Sequence, residues 1–185
     1  MEKLNPFLAR YKENADLNQY WYSKPTIQFM VDQCEAHGKR IAFLSTPSIY
    51  FSLKDKEIKE NSVCFDLDPV FGKRAKEGCY FCYDFNKPEE IPETMKADFD
   101  MVVIDPPFIT REVWEKFTIA AKFLMKEDGK ILASTIDENK DFMKELLGVS
   151  NIVFRPSIPN LVYQYSFYTN YEDPLHLEKN PEILE

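Results

Sequence analysis

Met101-Val102-Val103-Ile104-Asp105-Pro106-Pro107-Phe108 is a wholly apolar run closed by a carboxylate, two prolines and an aromatic ring. An apolar run without polar alternation is the pattern of a parallel strand buried on both faces. Asp105-Pro106-Pro107-Phe108 then falls at the strand's carboxyl end, where open α/β sheets hold their ligands. These residue types suit an amine. The Asp105 carboxylate accepts from N–H. Pro106 and Pro107 fix φ and lack N–H groups, so the turn is stiff and its carbonyls are free to accept. The Phe108 ring can stack on a flat base or face a cation.

Outward from this strand the chain alternates strands and helices. Arg40 to Ser45, Val63 to Leu67, Cys79 to Asp84 and Lys130 to Ser134 read as further strands. Pro47 to Leu53 reads as a short helix. Arg111 to Met125 carries Val113, Phe117, Ala120, Ala121 and Leu124 on one side and is expected to stop at Gly129. Asp137 to Leu147 is a helix closed by Gly148. Asn151 to Arg155 and Tyr163 to Tyr171 are the last two strands, and the connection Pro156 to Val162 is too short for a helical crossover. The pattern predicts one doubly wound, mostly parallel seven-stranded α/β sheet with a C-terminal antiparallel strand. Ahead of it, residues 1–38 form a helical segment. Ser23 caps a helix with Pro25 in its first turn, and Gly38 is its terminator. Residues 173–185 are acidic and proline-broken and are expected to be a loosely ordered tail without a site. His37 and His176 are assigned no role.

Composition narrows the function. The chain has 185 residues, 44% of them hydrophobic, enough for the core of a single domain. Its formal net charge of −8 favours a small-molecule substrate or a basic protein partner over nucleic acid, whose binders carry a basic face. Lys73-Arg74-Ala75-Lys76 and Lys39-Arg40 are the tight basic clusters, read as solvated helix ends. No stretch is long and apolar enough for a membrane span. Cys79 and Cys82 have C-x-x-C spacing, but residues three apart in a strand point to opposite faces and no second Cys or His pair supports zinc. Reduced thiols in the cytoplasm, no metal and no membrane association are therefore expected, with the chain acting as a monomer.

A nucleoside cofactor in such a sheet needs a tight loop after the first strand, a carboxylate after the second for the ribose hydroxyls, and a polar group after the third for the adenine amine. The chain offers Ser45-Thr46-Pro47-Ser48, then Asp66 and Asp68, then Asp84. The first loop lacks the glycines of a dinucleotide fingerprint, and no G-x-G-x-x-G occurs anywhere. The aromatic cluster Tyr20, Trp21 and Tyr22 is a candidate lid over the cofactor or, equally, a packing staple between N-terminal helices.

Asp105-Pro106-Pro107-Phe108 resembles the Asn/Asp-Pro-Pro-Tyr/Phe motif of the amine-directed N-methyltransferases. Gln19-Tyr20-Trp21-Tyr22-Ser23, Leu44 to Tyr50, Phe65-Asp66-Leu67-Asp68, Tyr83 to Pro88, Leu146 to Val149 and Asn160-Leu161 through Tyr168-Thr169-Asn170-Tyr171 extend the likeness over residues 17–172. Together they resemble the elongation factor 1-alpha lysine methyltransferases, a family first labelled N6-adenine-specific DNA methyltransferases. The glycine-free first loop is similar to the family's, and Asp66 stands where that family often has Glu. The resemblance implies a class I, Rossmann-like methyltransferase domain over residues 39–172. It implies S-adenosylmethionine as donor and a lysine ε-amine of elongation factor 1-alpha as acceptor. It assigns Asp105, Pro106, Pro107 and Phe108 to catalysis. It assigns Tyr20, Trp21, Tyr22, Ser45, Thr46, Pro47, Ser48, Asp66, Asp68, Asp84 and Asp105 to the donor, and residues 160–163 to the substrate rim. Methylation of adenine N6 in DNA or RNA is the alternative, since an adenine amine and a lysine amine make similar hydrogen-bonding demands on the motif. A further alternative is an inactive methyltransferase fold used as a binding subunit.

Overall fold

A computed structural model describes residues 3–184. In chain order the elements are α1 (Pro6–Arg10), α2 (Lys24–His37), β1 (Ile41–Leu44), α3 (Pro47–Tyr50), α4 (Lys56–Asn61), β2 (Val63–Asp66), β3 (Tyr80–Cys82), β4 (Phe99–Ile104), α5 (Arg111–Leu124), β5 (Met125–Ile136), α6 (Lys140–Leu147), β6 (Ser150–Asn151) and β7 (Tyr165–Thr169). The strands form one seven-stranded sheet in the order β3-β2-β1-β4-β5-β7-β6. β3, β2, β1, β4 and β5 are mutually parallel. β7 inserts antiparallel between β5 and β6, as its short connection to β6 demands.

Each face of the sheet carries its own core. Ile41, Phe43, Met101 and Val103 pack with Ile27, Met30, Val31 and Phe7 from the N-terminal helices. Ala42, Leu44, Val102 and Ile104 pack with Trp114, Phe117, Ala121 and Leu124 of α5 and Met143 of α6. The unalternated run 101–104 is thus explained, because both faces of β4 are covered. Cys79 is buried and Cys82 exposed, and both are unpaired thiols. Among the described residues no helix is long and apolar enough to cross a membrane.

Three elements differ from the sequence expectation. α5 matches its expected span to within a residue, but β5 starts at Met125, ahead of the expected Lys130, so that Gly129 lies inside the strand. β6 is shorter than 151–155, because Val153 and Phe154 both donate to the His176 carbonyl instead of continuing the ladder. α4 follows the first loop where no helix was read, capped by Asp55 accepting from Ile58 N.

A further correction concerns the tail, expected to be loose. Asp173 caps a 3-10 turn at Pro174–Leu177 and lies 2.6 Å from His37 Nε2. His176 is 5% exposed, and its Nε2 meets Gln33 Oε1 at 2.8 Å. Asn180 donates to the Arg155 carbonyl at 2.9 Å, and Ser23 donates to Glu182 at 2.5 Å. Polar composition hid this docking because its contacts are specific hydrogen bonds rather than an apolar stripe. Burial lowers the His176 pKa below 6.5. The unfolded chain therefore takes up a proton near pH 6.5 that the folded one resists, and the tail's stability is expected to fall as pH drops below that value. Amide exchange of residues 173–182, corrected for intrinsic rates, should be faster at pH 5.5 than at 7.5. Equal protection at both would show that His176 titrates freely in the folded chain.

Candidate active site

The register of the sheet builds the site. Leu44 pairs with both Phe65 and Ile104, and Ile104 pairs with Ala133. The next residue on each strand therefore falls in one row at the carboxyl edge: Asp66, Ser45, Asp105 and Ser134. A pocket lies over Asp66, Ser45 and Asp105 of this row, with Ser134 just outside it, and is lined also by residues 17–22, 46–48, Leu67, Tyr83, Phe85, Pro106, Pro107, Leu161 and Tyr165.

Ser45 takes φ 57°, the left-handed conformation usually left to glycine. Its N–H donates to the Phe65 carbonyl at 2.8 Å. The loop thus makes its tight turn without glycine, at a strain of about 1–2 kcal/mol. Asp66 is 8% exposed and accepts from Asp68 N at 2.9 Å. Burial pushes its carboxyl up to about 7. The Tyr83 hydroxyl, from a residue of the pocket lining, is buried without a partner among the described residues.

Asp105 is half-buried at the pocket floor. The hydroxyls of Tyr22 and Ser134 hydrogen-bond each other at 2.6 Å beside its carboxylate. Burial pushes Asp105 up to about 7, while those two hydroxyls pull it back down. Tyr22 is itself 2% exposed. Next door, Asn18 donates its side-chain amide to the Pro107 carbonyl. No described residue bonds the Pro106 carbonyl, which leaves it available.

Residues 17–22 cross the pocket as a strap. Asn18 turns through φ 51°, Gln19 donates to Asp68 Oδ2 at 3.0 Å, and Trp21 Nε1 donates to the Tyr11 carbonyl at 3.2 Å. Glu13 ties the strap to the β6–β7 connection by accepting from Trp21 N at 2.8 Å and Asn160 Nδ2 at 3.0 Å. The pocket's volume is about 110 Å³, below the ~300 Å³ floor of ordinary small-molecule sites, with the strap and Leu161 among the residues that narrow it.

Of the residues expected from sequence, Tyr20, Trp21, Tyr22, Ser45, Thr46, Pro47, Ser48, Asp66, Asp105, Pro106 and Pro107 line this one pocket. Three do not. Asp84 turns away to cap Asn86 N at 2.9 Å, leaving its neighbours Tyr83 and Phe85 in the lining. Asp68 holds Gln19 and Val70 N. Phe108 is 51% exposed outside the pocket, since the rigid Pro-Pro turn carries the chain outward before it. Sequence reading missed Asn18, Tyr83, Ser134 and Tyr165. Ser134 had a signal: it closes the strand read from sequence at Lys130 to Ser134, which the structure places beside the motif strand.

Seven strands in this order over a carboxyl-edge pocket define a Rossmann-like methyltransferase fold. The 1,6-didemethyltoxoflavin-N1-methyltransferase of Burkholderia thailandensis, solved with S-adenosylhomocysteine, superposes at a TM-score of 0.53 and 9% identity over 79% of this chain and 76% of that one. The branched-chain polyamine synthase of Thermus thermophilus, solved with 5'-methylthioadenosine, reaches 0.65 at 13% identity over 87% of this chain and 59% of that one. Residues 13–173 match the family described as "Probable N6-adenine methyltransferase", and the chain belongs to that family of methyltransferases. Within it, mouse EEF1A lysine methyltransferase 1 is 36% identical over 173 residues, covering 90% of this chain and 79% of the mouse protein.

Proposed function

We propose that this enzyme transfers methyl groups from S-adenosylmethionine to a lysine ε-amine of translation elongation factor 1-alpha, in the cytoplasm, a reducing compartment that suits four unpaired thiols. The name of the mouse relative supports the acceptor. The observation that carries the chemistry is Asp105, an ionisable acid on the pocket floor between two hydroxyls. Either amine acquires positive charge as it takes the methyl group, and a carboxylate stabilises that charge. The preference for lysine over adenine is carried by the relative's name and by the chain's net charge of −8.

The residues present fit the donor. Asp66 offers a buried carboxylate whose one protein donor among the described residues is the Asp68 N–H, which suits a ribose diol. Ser45 to Ser48 give a small polar loop, and Tyr83 has a buried hydroxyl seeking a partner. When bound, S-adenosylmethionine supplies a methyl group activated by its sulfonium. The strap over residues 17–22 must swing outward to admit a molecule of that size.

The acceptor side is the work of the chain's own residues. A free lysine, with a pKa of about 10.4, is an ammonium at pH 7. An apolar slot lowers that value, and the proton leaves to water before transfer. Asp105 and the Pro106 carbonyl then accept the amine's hydrogens and direct its lone pair, so most of the gain is positional. The Pro107 carbonyl is already held by Asn18, which keeps the turn in register.

Tyr22 moves in this reading from donor lid to positioning residue. With Ser134 it fixes the Asp105 carboxylate and favours its ionised form. Activity needs that form, so transfer should fall as pH drops through about 7. Tyr22→Phe should shift this acid limb upward by about one pH unit and lower kcat about tenfold, through loss of the hydroxyl that favours the ionised carboxylate. Its affinity for S-adenosylmethionine should be unchanged. A variant with normal kcat and weakened donor binding would return Tyr22 to the lid.

A further inference from the structure

A second cavity, of about 720 Å³, lies between α1, the end of α3, α4 and the loop after β2, and shares no lining residue with the methyl-transfer pocket. Four cations line it: Arg10, Lys59, Lys73 and Arg74. No carboxylate does, in a chain of net charge −8. The side chains of Arg10, Lys73 and Arg74 have no hydrogen bond or ion pair among the described residues. The nearby Glu60 is taken up by Lys76 at 2.9 Å and Lys56 at 3.8 Å. Lys59 is half-buried, its Nζ 5.6 Å from the Tyr50 and Phe51 ring centres, and burial lowers its pKa. Phe51 and Tyr11 form an aromatic floor with centroids 5.8 Å apart. The Tyr11 hydroxyl is buried and has no partner among the described residues.

Arg10, Lys73 and Arg74 are exposed and Lys59 is half-buried, and like charges gathered without a protein counter-charge create a positive potential that draws in an anion. We infer that the cavity is a binding site for a phosphate-bearing ligand, held by the Arg10 and Arg74 guanidiniums and the Lys59 and Lys73 ammoniums over the Tyr11–Phe51 floor. Guanidinium forks match phosphate oxygens bidentately, and several cations around one group suit a phosphate dianion better than a single carboxylate. The aromatic floor offers a ring to a base carried beside that phosphate. Free nucleotide and nucleic-acid backbone share this chemistry. The site stands independently of which amine the enzyme methylates.

Trp21 reports on the cavity, because its ring packs 5.0 Å from Phe7 and its Nε1 bonds the Tyr11 carbonyl. The test titrates the full chain with inorganic phosphate, with ATP and with an eight-nucleotide single-stranded RNA at two salt concentrations. Trp fluorescence and calorimetry are the readouts. Saturable binding that weakens with salt is expected, at least tenfold weaker in Lys73→Glu/Arg74→Glu. S-adenosylmethionine affinity and circular dichroism should not change in that variant. Lys126→Glu/Lys140→Glu, outside the cavity, controls for net charge and should bind normally. Tighter binding of RNA than of ATP assigns the backbone as ligand, and the reverse assigns the nucleotide. The proposal is overturned if no probe saturates, if the two double variants bind alike, or if a poly-glutamate peptide competes as well as phosphate does.

Discussion

Asp105→Ala is expected to lower methyl transfer by about 10³-fold or more, with S-adenosylmethionine affinity within a few-fold of the natural chain's. The size follows from removing the group that both orients the amine and faces its developing charge, each worth about 10²–10³ in rate. The fold should survive. Tyr22 and Ser134 keep their mutual 2.6 Å hydrogen bond without Asp105, so neither hydroxyl is orphaned. Burial already opposes the ionised form of Asp105, so the truncation also removes a cost. Asp105→Asn separates the two roles. It keeps an acceptor oxygen but no charge, and should retain more activity than Ala while losing the acid limb near pH 7. If Asp105→Ala kept full turnover, the amine would be held elsewhere.

Asp66→Ala should act on the other substrate. A ribose diol gives the buried carboxylate two hydrogen bonds, each worth roughly 1.5–3 kcal/mol to a charged acceptor. Loss of the pair should weaken S-adenosylmethionine binding by about 100-fold or more, while turnover at saturating donor changes little. Because Asp66 in the free enzyme is pushed up to about 7, donor affinity should decline as pH falls below that value, and the variant should lose this dependence. Calorimetry with the donor at pH 6 and pH 8 reads both effects. Unchanged affinity in Asp66→Ala would move the ribose to another part of the pocket.

The fold was legible where burial on both faces erased the polar alternation. β1, β2 and β4 are such strands, and the short connection before β7 announced its reversed direction. The motif was legible because proline and aspartate carry distinctive local chemistry. What stayed hidden depended on contacts far apart in sequence. Tyr22 looked like any lid aromatic until the row of strand ends brought Ser134 and Asp105 to its hydroxyl. Asp84 and Asp68 looked like Asp66, and only local backbone geometry decides which carboxylate faces the pocket and which caps a turn. The tail looked solvated because its anchors, His176 and Asn180, are polar side chains satisfied by Gln33 and the Arg155 carbonyl.

The central claim is the identity of the acceptor. The most direct measurement offers purified elongation factor 1-alpha and a mixed pool of adenine-containing DNA and RNA side by side to the enzyme with labelled S-adenosylmethionine. The account predicts label on a lysine of elongation factor 1-alpha, absent with Asp105→Ala, and none on the nucleic acid. Label on nucleic acid alone would contradict it.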